Sequence, residues 1–302
     1  MPQQLLIIDL ETCTGCGACI DVCPDRILEA DGSGRPLVVG DRCMQCGHCY
    51  AVCPVEAVTV PFLEEPVALS SFREADPLPS SDSLDPVSLL NLMKNRRSCR
   101  LYTDKPVAGA VLEDLVKAGI TAPSGTNSQG WEFLLLPERK DVIRLGEATG
   151  DFYRRLNRKA ANPLLRLLLR LTGNSSLDSY FAQYYKTVET ALHSWEQHRE
   201  DRLFHGAAAA IVVAADTNSS CPGEDAMLAT QNILLMAEML GLGSCLIGFV
   251  VEAARRDAAI NRLLGLDKNQ RIHSVIALGH PAVEFYRPAG RKGVRPRRLN
   301  LS

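Results

Sequence analysis

The chain has 302 residues, with 33 Lys and Arg against 35 Asp and Glu, a formal net charge of -2 and 46% hydrophobic residues. That balance describes a globular protein long enough for about two domains, with no basic surplus to suggest nucleic acid as a partner. The longest wholly apolar stretch, Ala207 to Ala215, is too short to cross a bilayer, so no transmembrane segment is expected.

The first sixty residues are dominated by cysteine. Eight of the 11 cysteines fall into two copies of one spacing, Cys13-x2-Cys16-x2-Cys19-x3-Cys23-Pro24 and Cys43-x2-Cys46-x2-Cys49-x3-Cys53-Pro54. Three thiolates at this step wrap a short loop around three corners of an iron–sulfur cubane, and the fourth corner comes from elsewhere. The run resembles the bacterial two-cluster ferredoxin signature, in which the fourth cysteine serves the other cluster. That rule assigns Cys13, Cys16, Cys19 and Cys53 to one [4Fe–4S] cluster, and Cys43, Cys46, Cys49 and Cys23 to a second. Structural zinc is the competing reading, but it needs four ligands in all and no third Cys at the same step. His48, between Cys46 and Cys49, is expected to shape the cluster environment. Residues 1–62 are therefore expected to form one unit, edged by strands at Leu5 to Ile8 and Val58 to Val60. Met1 to Gln4 lack the basic and apolar regions of a secretory leader, so a reducing cytoplasm is the expected compartment.

Residues 63–85 shift to Pro, Ser, Asp and Glu and are expected to be an extended connector. A helix is predicted from Pro86, because Asp85 can cap it and Val87, Leu89, Leu90, Leu92 and Met93 give it an apolar face. Further helices are expected near 108–119, 138–148, 224–240 and 253–264, with strands near 131–136, 207–215 and 272–278. Helices and strands mix without regular βαβ alternation, which predicts an α+β fold.

Three separated segments carry the second chemistry. Arg96-Arg97-Ser98-Cys99-Arg100 offers guanidinium forks and a hydroxyl suited to phosphate oxygens. Ala122 to Phe133 is a polar, turn-rich loop leading into an apolar run. Gly241 to Gly248 allows backbone to approach a flat ligand. In this order they resemble the nitroreductase family of flavin proteins, with Arg-Arg-Ser-x-Arg, then Pro-Ser-x-x-Asn-x-Gln-x-Trp-x-Phe, then Gly-Ser-Cys-x-Ile-Gly. The resemblance covers about residues 86–295. It implies an α+β domain over 86–302 that binds FMN at the interface of a homodimer. Arg96, Arg97, Ser98 and Arg100 would then meet the ribityl phosphate, Asn127 and Gln129 the polar edge of the flavin, and Cys245, Leu246, Ile247 and Gly248 the ring. A late basic residue, Arg291 or Lys292, would complete the phosphate site.

Residues of about 150–205 form an insertion carrying Phe152, Tyr153, Tyr180, Phe181, Tyr184, Tyr185 and Trp195. The resemblance makes it a lid that sets substrate choice, whereas aromatic side chains at helical spacing equally suit core or dimer packing. Within it, Pro163 to Leu171 reads either as a packed lid helix or as an interfacial one. Cys99 and Cys221 are expected to be passengers, His205, His273 and His280 to be structural, and no nucleophile–base pair is visible. The expected function is a flavin-dependent reductase in which electrons pass through two [4Fe–4S] clusters to FMN and on to a small organic acceptor such as a nitroaromatic, quinone or enone. The donor would be a reduced ferredoxin or NAD(P)H. The alternative is a relay subunit that passes electrons to a protein partner.

Overall fold

The computed structural model describes residues 5–61, 63, 67–71 and 85–301. The middle of the expected connector, residues 72–84, lies outside the described residues.

The N-terminal unit is framed by two short antiparallel pairs. Strand β1 (Ile7–Ile8) precedes helix α1 (Ala18–Asp21), strands β2 (Leu28–Ala30) and β3 (Pro36–Val38), helix α2 (His48–Val52) and strand β4 (Val58–Thr59). β1 pairs with β4 and β2 with β3, so the ends of the unit close on each other. Each helix starts after a glycine in the left-handed region, Gly17 at φ 77° and Gly47 at φ 71°, which lets the cysteine loop reverse into the helix. Leu6, Ile27, Leu28, Val58 and Val60 form the small core, with Cys19, Cys23, Cys43, Cys49 and Cys53 packed in or against it.

Helix α3 (Pro86–Asn95) begins as the sequence predicts, with the Asp85 carboxylate accepting from the backbone N–H of Val87 and Ser88 at 3.0 Å each. Its apolar face behaves differently from expectation. No residue of α3 is buried, and Val87, Leu89, Leu90 and Met93 are exposed. Helix α4 (Gly109–Gly119) follows. Strand β5 (Trp131–Leu136) leads into helix α5 (Arg139–Ala161), which runs well past the expected 148 and into the insertion. The rest of the insertion is helical as well: α6 (Pro163–Leu171), α7 (Ser176–Gln183) and α8 (Tyr185–His198). Then come β6 (Ala209–Asp216), α9 (Pro222–Met239), β7 (Gly243–Leu246), α10 (Gly248–Ala254), α11 (Ala258–Leu263) and β8 (Gln270–Gly279). The helix expected over 253–264 is thus two short ones.

The four strands order as β5-β6-β8-β7, all antiparallel neighbours. β6 is buried along nearly its whole length, and its side chains alternate between two cores as the period-two geometry of a strand requires. Ala209, Ile211 and Val213 pack with Leu112 and Leu115 of α4 and Ile233 of α9. Ala210 and Val212 face Val142 and Leu145 of α5, Val250 of α10 and Ile260 of α11. The fold is therefore α+β, a central antiparallel sheet covered by helices on both faces.

A carboxylate ties the connector to this domain. Asp114 of α4 is fully buried and accepts from the backbone N–H of Ser70 at 2.9 Å and of Ser71 at 2.5 Å, from both serine hydroxyls, and from Lys117 Nζ at 3.2 Å. Burial pushes its pKa up, but the Ser71 hydroxyl, the two backbone N–H donors and Lys117 outweigh that and hold it well below the usual carboxylate range.

Candidate functional site

The cysteine loops enclose two cavities, and their linings cross between the repeats. One is lined by Cys13, Cys16, Cys19 and, from the second repeat, Cys53. The other is lined by Cys43, Cys46, Cys49 and, from the first repeat, Cys23. The crossing follows from the paired α1 and α2, which carry each repeat's fourth cysteine toward the other's loop. All eight thiols are free. Two backbone donors already point at sulfur: Gln45 N–H to Cys43 Sγ at 3.3 Å and Ala57 N–H to Cys53 Sγ at 3.2 Å. Such bonds stabilise thiolate and raise the potential of a sulfur-ligated cluster, so the donor set fits iron–sulfur clusters in both cavities. His48 lies in the wall of the second cavity.

The arginine segment is positioned by strand β7. Ser98 bridges in parallel to Ser244, and Cys99 N–H donates to the Ser244 carbonyl at 2.9 Å. This approach requires Gly243, because a Cβ there would lie 2.7 Å from Cys99 Cβ and 2.8 Å from its Sγ. Arg96, Arg97, Ser98 and Arg100 then face an open pocket of about 890 Å³ whose far wall is Val283, Phe285, Ala289 and Arg291. Arg291, and not Lys292, is therefore the late basic residue in this pocket. Four guanidinium groups and one hydroxyl make a donor set that fits a phosphate. Arg97 also lies 5.0 Å from the centroid of the Phe285 ring.

In the third segment the side chains divide. Cys245 and Ile247 are buried in the core, while Leu246, Gly248 and Phe249 are exposed. Burial pushes the Cys245 thiol up, against the pull of the nearby Arg100 and the Ser98 side chain. Cys99 is raised in the same way by burial. Both behave as packing residues rather than nucleophiles. Burial also lowers the pKa of His205 and of His273.

The Asn127 loop sits elsewhere. Thr126, Asn127 and Gln129 have φ of 51°, 54° and 46°, a run of left-handed non-glycine residues that costs energy and is sustained by its surroundings. Buried Asp225 of α9 accepts from Gly125 N–H at 2.9 Å and from the Ser128 hydroxyl at 3.2 Å, and Ser124 Oγ accepts from Gln129 N–H at 3.0 Å. The Asn127 amide donates to the carbonyls of Met44 and Gln45, at 3.3 and 3.0 Å, in the loop between Cys43 and Cys46. This loop lies where β5 starts and β6 ends. The arginine segment lies at the opposite edge strand and the opposite end of the sheet, where Gly243 pairs with Gly279. Asn127 and Gln129 are thus not brought to the arginine pocket of their own chain.

The insertion's aromatic residues mostly pack on one another. Tyr153 meets Phe152, Tyr180 and Phe249, and Phe181 meets Tyr185. Tyr153, Trp195, Phe204 and Phe249 also wall a largely apolar cavity of about 130 Å³ between α5, α8 and residues 201–204. The Tyr153 hydroxyl donates to the Phe249 carbonyl at 3.0 Å, linking the insertion to the residue after Gly248. Helix α6 turns Leu165, Arg166 and Leu169 inward and keeps an apolar outer face. Its Arg166 stacks on the Phe181 ring at 3.7 Å, while Leu164, Leu167, Leu168 and Leu171 are exposed.

Asp114, Asp225 and the Met44–Gln45 carbonyls escaped the sequence reading. The two carboxylates had a signal: each interrupts the apolar stripe of its helix, Asp114 between Leu112 and Leu115, Asp225 beside Ala226 and Ala229. An acid at a core position needs partners. The backbone carbonyls had none, because main-chain acceptors are the same at every residue.

The sequence profile of the nitroreductase family matches residues 93–280, and that of a 4Fe-4S dicluster domain matches residues 5–54. A provisionally named NADH dehydrogenase/NAD(P)H nitroreductase of Archaeoglobus fulgidus is 29% identical over 204 residues, which cover 65% of this chain and 88% of that protein. An NADH dehydrogenase of Thermus thermophilus is 25% identical over 192 residues, covering 63% and 85%. Among solved structures, a nitroreductase with bound FMN from Bacteroides fragilis aligns with 72% of this chain and 100% of its own, at 22% identity and a TM-score of 0.49. No helix among the described residues is long and apolar enough to cross a membrane.

Proposed function

From the premise that the chain belongs to the nitroreductase family, with an iron–sulfur domain ahead of the family's core, we propose that it is an FMN-dependent reductase. In this reading electrons arrive through two [4Fe–4S] clusters and leave to a small organic acceptor such as a nitroaromatic, quinone or enone. The observation that carries it is the contact between the two chemistries: the loop between Cys43 and Cys46 is hydrogen-bonded to Asn127. When bound, FMN would supply the conversion between single-electron and two-electron chemistry that clusters alone lack.

The chain's own residues do the rest. Arg96, Ser98, Arg100 and Arg291 hold the phosphate, with Arg97 steadied over Phe285. Asn127 and Gln129 orient the polar edge of the flavin, and exposed Leu246 and Gly248 lie against the ring. Cys13, Cys16, Cys19 and Cys53 ligate one cluster, and Cys43, Cys46, Cys49 and Cys23 the other. Since the arginine pocket and the Asn127 loop occupy opposite corners of the sheet, one flavin site draws on both through a homodimer. The exposed faces of α3 and α6 offer apolar surface for that pairing. The apolar cavity beside Phe249 suits the body of an organic acceptor.

A second reading, that NAD(P)H is the donor, is favoured by the names of the relatives. One double variant separates the two. Cys16→Ser with Cys46→Ser should abolish turnover driven by a reduced low-potential ferredoxin while leaving bound FMN in place. Full NADH-driven turnover in that variant, with no gain from ferredoxin in the parent, would remove the clusters from the path.

A further inference from the structure

We propose that the iron–sulfur domain of each chain serves the flavin anchored by the arginines of the other chain, and that it does so through the Cys43–Cys46 loop. The proposal rests on the FMN-binding homodimer argued above.

The two cysteine repeats are alike in sequence but not in surroundings. In the first, Gly15 turns the loop against Gly34 and Arg35 of its own domain, 3.5 and 3.8 Å from where a Cβ would stand. In the second, the equivalent residue is Gln45, and its loop faces Asn127 of the flavoprotein domain. Gln45 keeps the left-handed conformation of Gly15, φ 56° against 70°, although a side chain there costs about 1 kcal/mol. Both hydrogens of the Asn127 amide are taken by the carbonyls of Met44 and Gln45, which leaves Oδ1 to accept from a ligand. Met44 itself lines the Cys43, Cys46, Cys49 and Cys23 cavity, and its N–H is fixed by Asp25 Oδ2 at 2.7 Å. One residue therefore touches both the second cavity and the Asn127 loop. The second cavity is the inner station, and the Cys13, Cys16, Cys19 and Cys53 cavity is the outer one.

The sheet then decides which flavin is served. From the Arg271 level of β8, where β6 pairs beside Trp131, to Gly279, where β7 pairs, is eight residues, roughly 27 Å at about 3.4 Å per residue. Three strand spacings of about 4.8 Å add roughly 14 Å across. A mononucleotide held at Arg96 and Arg100 does not reach Asn127 over that diagonal, whereas one held by a second copy across the interface can. The donor is a one-electron protein reductant. Two electrons taken singly from it, with two protons from solvent, reduce one flavin.

The test uses full-length chains with two different tags, co-expressed so that mixed dimers are purified through both tags. Chain one carries Asn127→Leu, with all eight cysteines intact. Chain two carries Arg96→Ala and Arg100→Ala. The readout is the fluorescence of bound FMN, which a neighbouring cluster quenches steeply with distance. The chain-one homodimer should emit several-fold more brightly than wild type. The mixed dimer, whose flavin sits at chain-one arginines opposite the intact chain-two loop, should be quenched as wild type is. A mixed dimer as bright as the chain-one homodimer would overturn the crossed arrangement while leaving the FMN site standing. Replacing Asn127→Leu by Cys46→Ala in chain one removes the inner cluster outright and must give the same pattern. Replacing it by Cys16→Ala should leave the flavin of the homodimer quenched, and a bright flavin there would overturn the inner and outer order. Wild-type chain that purifies as a monomer or without flavin would overturn the underlying reading, and this proposal with it.

Discussion

Arg96 and Arg100 are the residues on which FMN retention should depend most. A hydrogen bond to a charged group contributes about 1.5–3 kcal/mol, so Arg100→Ala should weaken FMN binding roughly 10- to 100-fold. Titration of the apo-protein with FMN measures this, and unchanged affinity would refute the phosphate role. Asp114 gives a prediction of another kind. Its carboxyl is held below the usual range in the folded state, so its contribution is complete at neutral pH, where the unfolded carboxyl is also ionised. It is lost as pH falls below the ordinary carboxylate range toward the folded value. Asp114→Asn should cost about 1–3 kcal/mol at pH 7, and the gap in melting temperature between parent and variant should narrow below about pH 4. A gap that widens with acid would refute it. The arginine run stands out in the sequence by residue type alone, and the structure gathers it around one pocket. Asp114 does not stand out, because its partners are the hydroxyls and backbone of two serines in a stretch that reads only as a connector.

At the scale of elements, β7 is the segment most altered by its context. Gly241 to Gly248 reads as a glycine-rich approach to a ligand, yet Gly243 to Leu246 forms the edge strand that receives the arginine segment. Glycine weakens strand propensity, so only the pairing with β8 and Ser98 reveals the strand. Gly243→Val should force Cys99 and the arginines off β7. We expect FMN retention to fall sharply with the far-ultraviolet circular dichroism intact, and normal flavin content in that variant would show that the close approach is dispensable. The Asn127 loop depends similarly on one helix. Asp225→Ala removes the acceptor of Gly125 N–H and the Ser128 hydroxyl, and should raise proteolytic cleavage within residues 124–130 several-fold. Helix α4 was legible from its amphipathic period, and α9 and strands β5, β6 and β8 from apolar runs whose lengths suit a helix or a strand. The length of α5 was not, since its second half is polar and its buried positions, Tyr153, Asn157 and Ala160, are spaced apart among charges.

At the scale of the whole molecule, the two family matches, over residues 5–54 and 93–280, bear out the fusion that the two sets of motifs implied. The predicted metal content is about eight irons with matching sulfide per chain, checked by elemental analysis of anaerobically purified protein, and zinc in their place would refute it. What no local pattern could reveal is the docking of the Met44–Gln45 carbonyls on Asn127. That contact joins residues more than eighty positions apart through main-chain acceptors, and it exists only once both domains have folded.

The crossed linings of the two cysteine cavities would also set the order of cofactor loading. Because the first cavity needs Cys53 and the second needs Cys23, neither is complete while the ribosome has released only the first repeat. With the ligand sets proposed above, cofactor loading would wait until the chain beyond Cys53 has emerged, and would then become possible at both sites together. Under that assignment a nascent chain halted between the repeats would offer its first loop three of the four thiols it needs, since Cys23 lines the other cavity.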